Sequence, residues 1–204
     1  MAQSQDSVFD MIKLGLVLVA YAVVSCTILA VVNNITAPKI AQNQAEKVNV
    51  AMSRFFPQEG LSFESVKDFK YDVVGAITID GLYVAKDDGN VVGAAAEVTG
   101  PTYDHGTILV GLNADGTVSG VQFLKLTDSP GFGSKAKDSS YLVSSGVPFY
   151  EQFTGMNAGD GFFAGRNFDA ISGATITSEG VASLLNEGTK CLLALLESEV
   201  SQNE

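Results

Sequence analysis

The feature that most constrains the fold is an uncharged apolar run at residues 14–32. Only Tyr21, Ser25 and Thr27 place polar side-chain atoms within its 19 residues. At a helical rise of about 1.5 Å per residue, a run of this length just crosses a hydrocarbon core about 30 Å thick. The sequence therefore predicts one transmembrane helix over residues 14–32, in contact with membrane lipid.

A cleaved signal peptide and a lipoprotein anchor are the alternatives for this segment. Signal peptides usually have apolar regions of about 7 to 15 residues before a small-residue cleavage site. Here Asn33 and Asn34 end a longer run without such a site. The stretch Val23-Val24-Ser25-Cys26 resembles a loose lipobox, but apolar residues continue past Cys26, where a lipidated cysteine would begin a polar tether. An uncleaved anchor is favoured, preceded by residues 1–13.

The charge distribution separates the anchor from the remainder of the chain. Residues 1–40 contain equal numbers of acidic and basic side chains, so the formal net charge of −11 belongs to residues 41–204. An acidic domain is repelled by nucleic acid, which excludes nucleic acid as a partner. Lys13 and Lys39 flank the apolar run on opposite sides, so charge alone does not settle its orientation.

A second helix is predicted after the anchor. Ala41, Ala45, Val48, Met52 and Phe55 recur at helical spacing up to Pro57, and Pro38 suits an early helical position. This pattern predicts a juxtamembrane helix, or stalk, over residues 33–57.

The region from about Gly75 onward has the pattern of short β-strands. Four β-rich runs are predicted at residues 76–84, 91–98, 107–112 and 117–126, separated by Asp/Asn/Gly turn sequences. Connections this short join antiparallel neighbours, because a parallel crossover needs a dozen or more residues. The sheet is therefore expected to be antiparallel.

The C-terminal region ends in an amphipathic helix, predicted from about Ser178 to Glu199. Its apolar stripe follows the i, i+3, i+4, i+7 rule at Val181, Leu184, Leu185, Gly188, Cys191, Leu192, Leu195 and Leu196. Before it, 150–153 is a plausible short helix, and at least two of Phe162, Phe163 and Phe168 are expected in the core. The fold class is α+β, with one domain over residues 58–204.

A run of small and hydroxyl-bearing residues precedes this helix at 169–178. Ser and Thr commonly cap helices, so Thr177 or Ser178 needs no function to be explained. The alternative is an anion site, because a helix N-terminus offers free N–H donors and the positive end of the helix dipole. Gly173 and Ala174 would leave the backbone accessible to a phosphate.

The run also carries a motif, Asp169-Ala170-Ile171-Ser172-Gly173-Ala174-Thr175. It resembles the flavinylation motif Asp-x-x-Ser/Thr-Gly-Ala-Thr of the FMN-binding domains in Rnf and Na⁺-translocating NADH:quinone oxidoreductase complexes, and it matches at every specified position. The resemblance implies that a flavin transferase joins FMN to Thr175 through a phosphoester bond. It further implies that Ser172, Gly173 and Ala174 line the phosphate and that Asp169 belongs to the transferase recognition sequence. Thr177 is also expected to bind the cofactor.

A second motif stands in the loop before the first, Asp128-Ser129-Pro130-Gly131-Phe132-Gly133. The same family usually carries Glu-Thr-Pro-Gly-Leu-Gly there, so three of the six positions differ conservatively. The resemblance implies cofactor contacts from Ser129, Pro130, Gly131, Phe132 and Gly133. Leu126 stands where many members have a histidine. An ordinary Pro-Gly turn is the alternative explanation for this loop.

The family resemblance implies a function for the whole chain. It implies a membrane-anchored electron carrier in an Rnf-type ferredoxin:NAD⁺ oxidoreductase complex that translocates Na⁺ or H⁺. Its partners are the other membrane and redox subunits, and the chain alone is not catalytic. The resemblance also implies a cytoplasmic N-terminus and a periplasmic or extracellular flavin domain. The alternatives are a C-type subunit of the quinone reductase and a non-redox extracellular domain.

Metal and hydrolase chemistry are not indicated by the remaining residues. His105 is the only histidine and has no Cys or His at ligand spacing, so no metal site is predicted. A serine nucleophile would need a base, and no G-x-S-x-G context exists.

Overall fold

The computed structural model of the chain describes residues 3–67 and 69–202. Helix α1 spans Gln3–Phe55 and helix α2 spans Thr175–Gln202. The strands are β1 (Ser62–Ser65), β2 (Thr78–Asp87), β3 (Asn90–Gly100), β4 (Gly106–Asn113) and β5 (Val118–Leu126). The chain divides into two compact units between Glu46 and Lys47.

The N-terminal unit consists of the first part of α1. Its most apolar 18-residue window has a mean hydropathy of 2.5, and none of that window is buried. By length and composition this helix is able to cross a membrane. It includes the run at residues 14–32, while the boundaries assigned to the N-terminus, span and stalk stay predictions.

The sequence predicted a second helix with Pro38 at an early position, but the structure has one continuous helix here. Pro38 lies inside α1, which continues on both sides of it. Proline has no N–H to donate to the carbonyl of Asn34, which removes one intrahelical hydrogen bond. Close by, the Thr36 hydroxyl donates to the carbonyl of Val32 at 2.9 Å. This hydroxyl does not reach the Asn34 carbonyl that Pro38 leaves without its helical donor.

The second unit contains a five-stranded sheet in the order β1-β2-β3-β4-β5, with every pair antiparallel. The four predicted strands are present. β2 extends to Asp87 because a two-residue turn, Asp88-Gly89, connects it directly to β3. Both turn residues have positive φ, which matches the right-handed twist of the paired strands. The sequence analysis missed β1, whose four residues are too few to show alternation.

Both faces of the sheet are covered within this unit. On β3, Ala94, Ala96 and Val98 belong to the core that includes α2, whereas Ala95 belongs to a smaller core on the opposite face. The smaller core contains residues from the end of α1, from Val48 to Phe55, and Phe56, which follows the helix. Successive side chains of a strand point to opposite faces, so a strand covered on both sides, such as β3, is predominantly apolar.

Glycines on the sheet make room for two phenylalanine rings, one at the end of α1 and one in the residue that follows it. A Cβ at Gly111 or Gly120 would overlap the ring of Phe55, and a Cβ at Gly93 would overlap Phe56. Gly111 and Gly120 are register partners on β4 and β5, so their empty positions form one groove. The end of α1 is therefore seated directly on the sheet backbone.

An aromatic cluster fills the region between β5 and α2. The rings of Phe149, Phe153, Phe162 and Phe168 pack edge to face at centroid distances from 5.0 to 6.0 Å. Phe162 and Phe168 are buried and Phe163 is 47% exposed, which confirms that two of the three predicted core aromatics lie inside. Short 3₁₀ helices at Gly133–Lys137, Glu151–Phe153 and Ala158–Asp160 connect this region.

The glycine groove generates a stability prediction. Gly120→Ala should lower the free energy of unfolding by roughly 1–3 kcal/mol because the added methyl overlaps the Phe55 ring. Phe55→Ala should lower it by about 3–5 kcal/mol because it leaves a cavity. The double variant should lose less than the sum, since the smaller side chain frees the space that the methyl needs. Urea unfolding of the full chain in detergent measures all three, and strict additivity would contradict the contact.

Candidate functional site

Helix α2 begins at Thr175, three residues before the start predicted from the sequence. The carbonyl of Ala174 accepts the first helical hydrogen bond, from the N–H of Ser178 at 3.1 Å. Thr177 and Ser178 are therefore first-turn residues and not caps. Within the described part of the chain, the backbone N–H groups of Thr175, Ile176 and Thr177 have no acceptor. Such a helix end attracts an anion.

Four hydroxyl side chains stand in the motif region, and the structure divides them into two pairs. Ser178 and Thr177 are buried and already hydrogen-bonded. The Ser178 hydroxyl donates to the Ala174 carbonyl and accepts from the N–H of Ile171. The Thr177 hydroxyl donates to Asp128 Oδ2 at 2.6 Å. Ser172 and Thr175 are exposed, and their hydroxyls have no hydrogen-bond partner among the described residues.

A pocket of ≈ 670 Å³ opens in front of this helix end. Its volume lies within the range of about 300–1,000 Å³ that is usual for small-molecule and cofactor sites. Its lining residues are Tyr103, Ser129, Pro130, Phe132, Gly133, Gly173, Ala174, Thr175, Ile176 and Thr177. None of these side chains is charged, so an anionic ligand here depends on backbone donors and hydroxyls.

Three large apolar or aromatic side chains in this lining are exposed to solvent. Tyr103 is 62% exposed, and Phe132 and Ile176 are each 58% exposed. Large apolar side chains are normally buried, so their gathering around one pocket offers flat apolar surface to a ligand.

The Pro-Gly loop forms one wall of the pocket. Gly131 has a φ of +77°, and the N–H of Phe132 donates to the carbonyl of Ser129. Proline followed by a glycine of positive φ is the arrangement of a type II turn, which other residues adopt only with strain. The N–H of Gly131 donates to Ser134 Oγ at 3.0 Å, which closes the turn. Phe132 is thereby carried to the pocket edge.

Asp128 joins this loop to two other segments. Its Oδ2 accepts from the hydroxyl of Thr177 and from the N–H of Tyr103, while its Oδ1 accepts from the hydroxyl of Thr102 and from the N–H of Asp104. Each carboxylate oxygen thus receives one hydroxyl and one backbone donor. Loop 102–104, the Pro-Gly loop and the first turn of α2 all meet at one side chain.

The Asp128 carboxylate is ionised although it is only 4% exposed. Burial raises the pKa of Asp128, but the hydrogen bonds from Thr102, Thr177 and the two backbone N–H groups together hold that pKa below its ordinary value. Asp128 forms no salt bridge with a described residue. Hydrogen bonds alone therefore stabilise the ionised form of this buried group, and no cation neutralises it among the described residues.

The structure brings most of the sequence-predicted site residues together. The eight that line the pocket are Thr175, Gly173, Ala174, Thr177, Ser129, Pro130, Phe132 and Gly133. Ser172, Gly131 and Asp169 do not line it. The Asp169 carboxylate instead accepts from the N–H of Ser145 at 2.7 Å, and its backbone exchanges two hydrogen bonds with the Gln152 side chain.

Sequence reasoning missed two lining residues, Tyr103 and Ile176, and the bridging role of Thr102. Ile176 had a usable signal, because this apolar residue between Thr175 and Thr177 falls outside the buried stripe of α2. Tyr103 had no such signal, because no local sequence pattern indicates that its loop lies beside residues 173–177.

The two cysteines and the metal-ligating residues give no second centre in the described chain. Cys26 and Cys191 are both free, and burial raises the pKa of Cys191 to about 11. Among the described residues no group of three or more His, Cys, Asp or Glu is placed to hold a metal ion.

Comparison with known proteins finds two matching protein families. Residues 103–190 match the FMN-binding domain family, and residues 3–53 match the RnfG N-terminal region. The first of these matches spans all ten lining residues of the pocket.

Several curated relatives match across most of both chains, and each is the G-type subunit of an oxidoreductase complex. That of the Na⁺-translocating ferredoxin:NAD⁺ oxidoreductase complex of Acetobacterium woodii is 33% identical, over 85% of this chain and 87% of the relative. That of the ion-translocating oxidoreductase complex of Erwinia tasmaniensis is 29% identical, over 87% of each chain. The corresponding protein of Aliivibrio fischeri is 29% identical, over 83% of this chain and 84% of the relative.

The similarity to these relatives covers the N-terminal helix as well as the domain that carries the pocket. The chain therefore belongs to the RnfG family of ion-translocating oxidoreductase complexes and carries its FMN-binding domain.

Proposed function

We propose that this chain is a membrane-anchored electron-transfer subunit that carries FMN in a phosphoester bond to Thr175, within an Rnf-type ferredoxin:NAD⁺ oxidoreductase complex. One observation supports Thr175 as the attachment site. Of the four hydroxyls in the motif region, only that of Thr175 is both free of a hydrogen bond to a described residue and part of the pocket wall. Ser172 is free but lies outside the wall, and Thr177 is in the wall but bonded to Asp128.

The residues around Thr175 fit a phosphate group. The N–H groups at the start of α2 are without acceptors in the described chain, and the helix dipole favours negative charge there. Gly173 has a φ of +78°, and a Cβ at this position would contact only the Phe132 ring, at 3.6 Å. The backbone before the helix is therefore open to a diester oxygen.

The pocket also fits a flat aromatic ring. Tyr103, Phe132 and Ile176 supply exposed apolar surface beside Thr175. A bound flavin supplies one-electron and two-electron chemistry itself, so the protein contributes attachment, orientation and surroundings. No lining residue is an acid or base suited to proton transfer at neutral pH, which favours an electron relay over conversion of a diffusible substrate.

The relatives support the assignment to a complex. The Acetobacterium woodii relative is named as a subunit of a Na⁺-translocating ferredoxin:NAD⁺ oxidoreductase. We place residues 14–32 in the membrane lipid, the N-terminus in the cytoplasm and the flavin domain on the periplasmic or extracellular side. Outside the cytoplasm no FMN pool exists to refill an empty site, so a covalent bond formed by a flavin transferase keeps the carrier loaded.

The attachment site is tested by substituting the hydroxyls one at a time. After co-expression with a flavin transferase, the wild-type chain should gain the mass of one FMN less one water, and Thr175→Ala should gain nothing. Ser172→Ala should be modified like the wild type, because its hydroxyl does not reach the pocket. Intact-mass measurement with peptide fragmentation reads the result.

Two outcomes would contradict this part of the proposal. A wild-type chain that remains unmodified beside a modified positive-control protein would leave a non-redox domain as the better explanation. If peptide fragmentation finds FMN on the Thr175→Ala variant, the ester is attached to a different hydroxyl.

The backbone at Gly173 gives a second prediction. Gly173→Ala should reduce FMN attachment, because a side chain at positive φ costs about 1–2 kcal/mol and the loop shifts to relieve it. Gly155→Ala is the matched control, since Gly155 has a φ of +83° and open space around its Cβ position but does not line the pocket. Both variants should unfold at slightly lower temperature, and only the first should lose FMN. Equal attachment in the two would contradict a role for Gly173.

The orientation is tested by labelling introduced cysteines with a membrane-impermeant maleimide in intact cells. Ser144→Cys, on an exposed loop, should be labelled, whereas Ser4→Cys should react only after the cells are lysed. The background is low because Cys191 is fully buried and Cys26 stands in the apolar run. Labelling of the Ser4→Cys variant alone would reverse the assigned topology.

A further inference from the structure

Asp128 is a buried acidic group in direct contact with the pocket wall. Three lining residues touch it: Thr177 through its hydroxyl, Tyr103 through its N–H, and Gly133 through close packing. A Cβ at Gly133 would lie 2.6 Å from Asp128 Cβ and 2.5 Å from the Thr177 hydroxyl. Asp128 therefore lies directly behind the lining residues and is not itself part of the pocket surface.

Its hydrogen bonds connect segments that are far apart in the sequence. Thr102 is 26 residues before Asp128, and Thr177 is 49 residues after it. Both threonine hydroxyls are buried, and neither has another hydrogen-bond partner among the described residues. A buried donor that loses its acceptor costs the desolvation of that group, so the three segments are held together as a set.

The charge itself is not cancelled by a cation. The described residues provide no salt bridge to Asp128, and the pocket lining contains no charged side chain. Hydrogen-bond donors stabilise the ionised form but leave its net charge in place. In a low-dielectric environment such a charge acts on a neighbouring group much more strongly than it would in water.

We propose that Asp128 is a positioning residue of the flavin site, which fixes the three walls of the pocket and places an uncompensated negative charge behind them that lowers the midpoint potential of the attached flavin. The inference depends on the proposed attachment of FMN at Thr175. Accepting an electron adds negative charge, and a nearby carboxylate makes that addition less favourable. Removing the charge should shift the potential to a more positive value.

The test compares four variants of the full chain, each co-expressed with a flavin transferase. Asp128→Asn removes the charge at nearly constant shape, and Asp128→Glu keeps it. Thr102→Val keeps the charge and removes one buried hydrogen bond at a position outside the pocket lining. Asp115→Asn is the control, because Asp115 also accepts from a threonine N–H and hydroxyl but lies in an exposed turn remote from the pocket lining.

Two quantities are measured: the fraction of chains that carry FMN, by intact mass, and the midpoint potential of the attached flavin, by spectroelectrochemical titration at neutral pH. Asp128→Asn should carry less FMN, with a potential more positive than wild type. Thr102→Val should carry less FMN at an unchanged potential, and Asp115→Asn should match wild type in both.

The outcomes separate the two proposals. An unmodified wild-type chain rejects the flavin attachment, whereas a modified wild type with an unshifted potential in Asp128→Asn rejects only the role of Asp128. A shift of the same size in Thr102→Val also overturns it, because that variant keeps the charge. If Asp128→Asn takes up no FMN, attachment restored in Asp128→Glu supports the proposal, and loss in both variants overturns it.

Discussion

Close packing of α2 against the sheet is the constraint on which the functional site depends. Gly188 lies against β3 and β4, where a Cβ would come within 2.6 Å of Val98 and 3.0 Å of Val110. Nearer the start of the helix, a Cβ at Gly180 would lie 2.6 Å from Thr102 Cα. These two contacts set both the height of α2 above the sheet and its position along its own axis. The first turn is thereby held beside loop 102–104.

The antiparallel order of the sheet brings the other pocket segments to the same place. Gly106 and Leu126 are register partners, so the loop before β4 and the loop after β5 leave the sheet at one end. Loop 102–104 and the Pro-Gly loop therefore lie side by side, and α2 begins next to both. Asp128 links them through hydrogen bonds to Thr102 and Thr177, and the pocket forms on the outer side of that junction.

The site contains two kinds of group: buried groups that are hydrogen-bonded within the fold, and exposed groups that can still bind a ligand. Thr177, Ser178 and Asp128 are buried and hydrogen-bonded, so they hold the helix start and its loop in place. Thr175, the free N–H groups and the exposed faces of Phe132 and Ile176 are not used by the described fold. The proposed covalent attachment of FMN is consistent with this division, because a tethered group needs an open wall and one reactive hydroxyl more than an enclosing cavity.

Local patterns in the sequence determined the element types, the antiparallel sheet and the apolar helix. Hydrophobic periodicity and turn chemistry act over a few residues, so they can be read without tertiary information. The same local signals failed at Pro38, at the short strand β1 and at the start of α2, where context overrides intrinsic preference. Only the tertiary structure decided that Tyr103 and Ile176 line the pocket, that Ser172 and Asp169 do not, and that Asp128 joins three walls. Those facts depend on contacts between residues 24 to 49 positions apart, and no local pattern encodes which distant backbone will meet a given side chain.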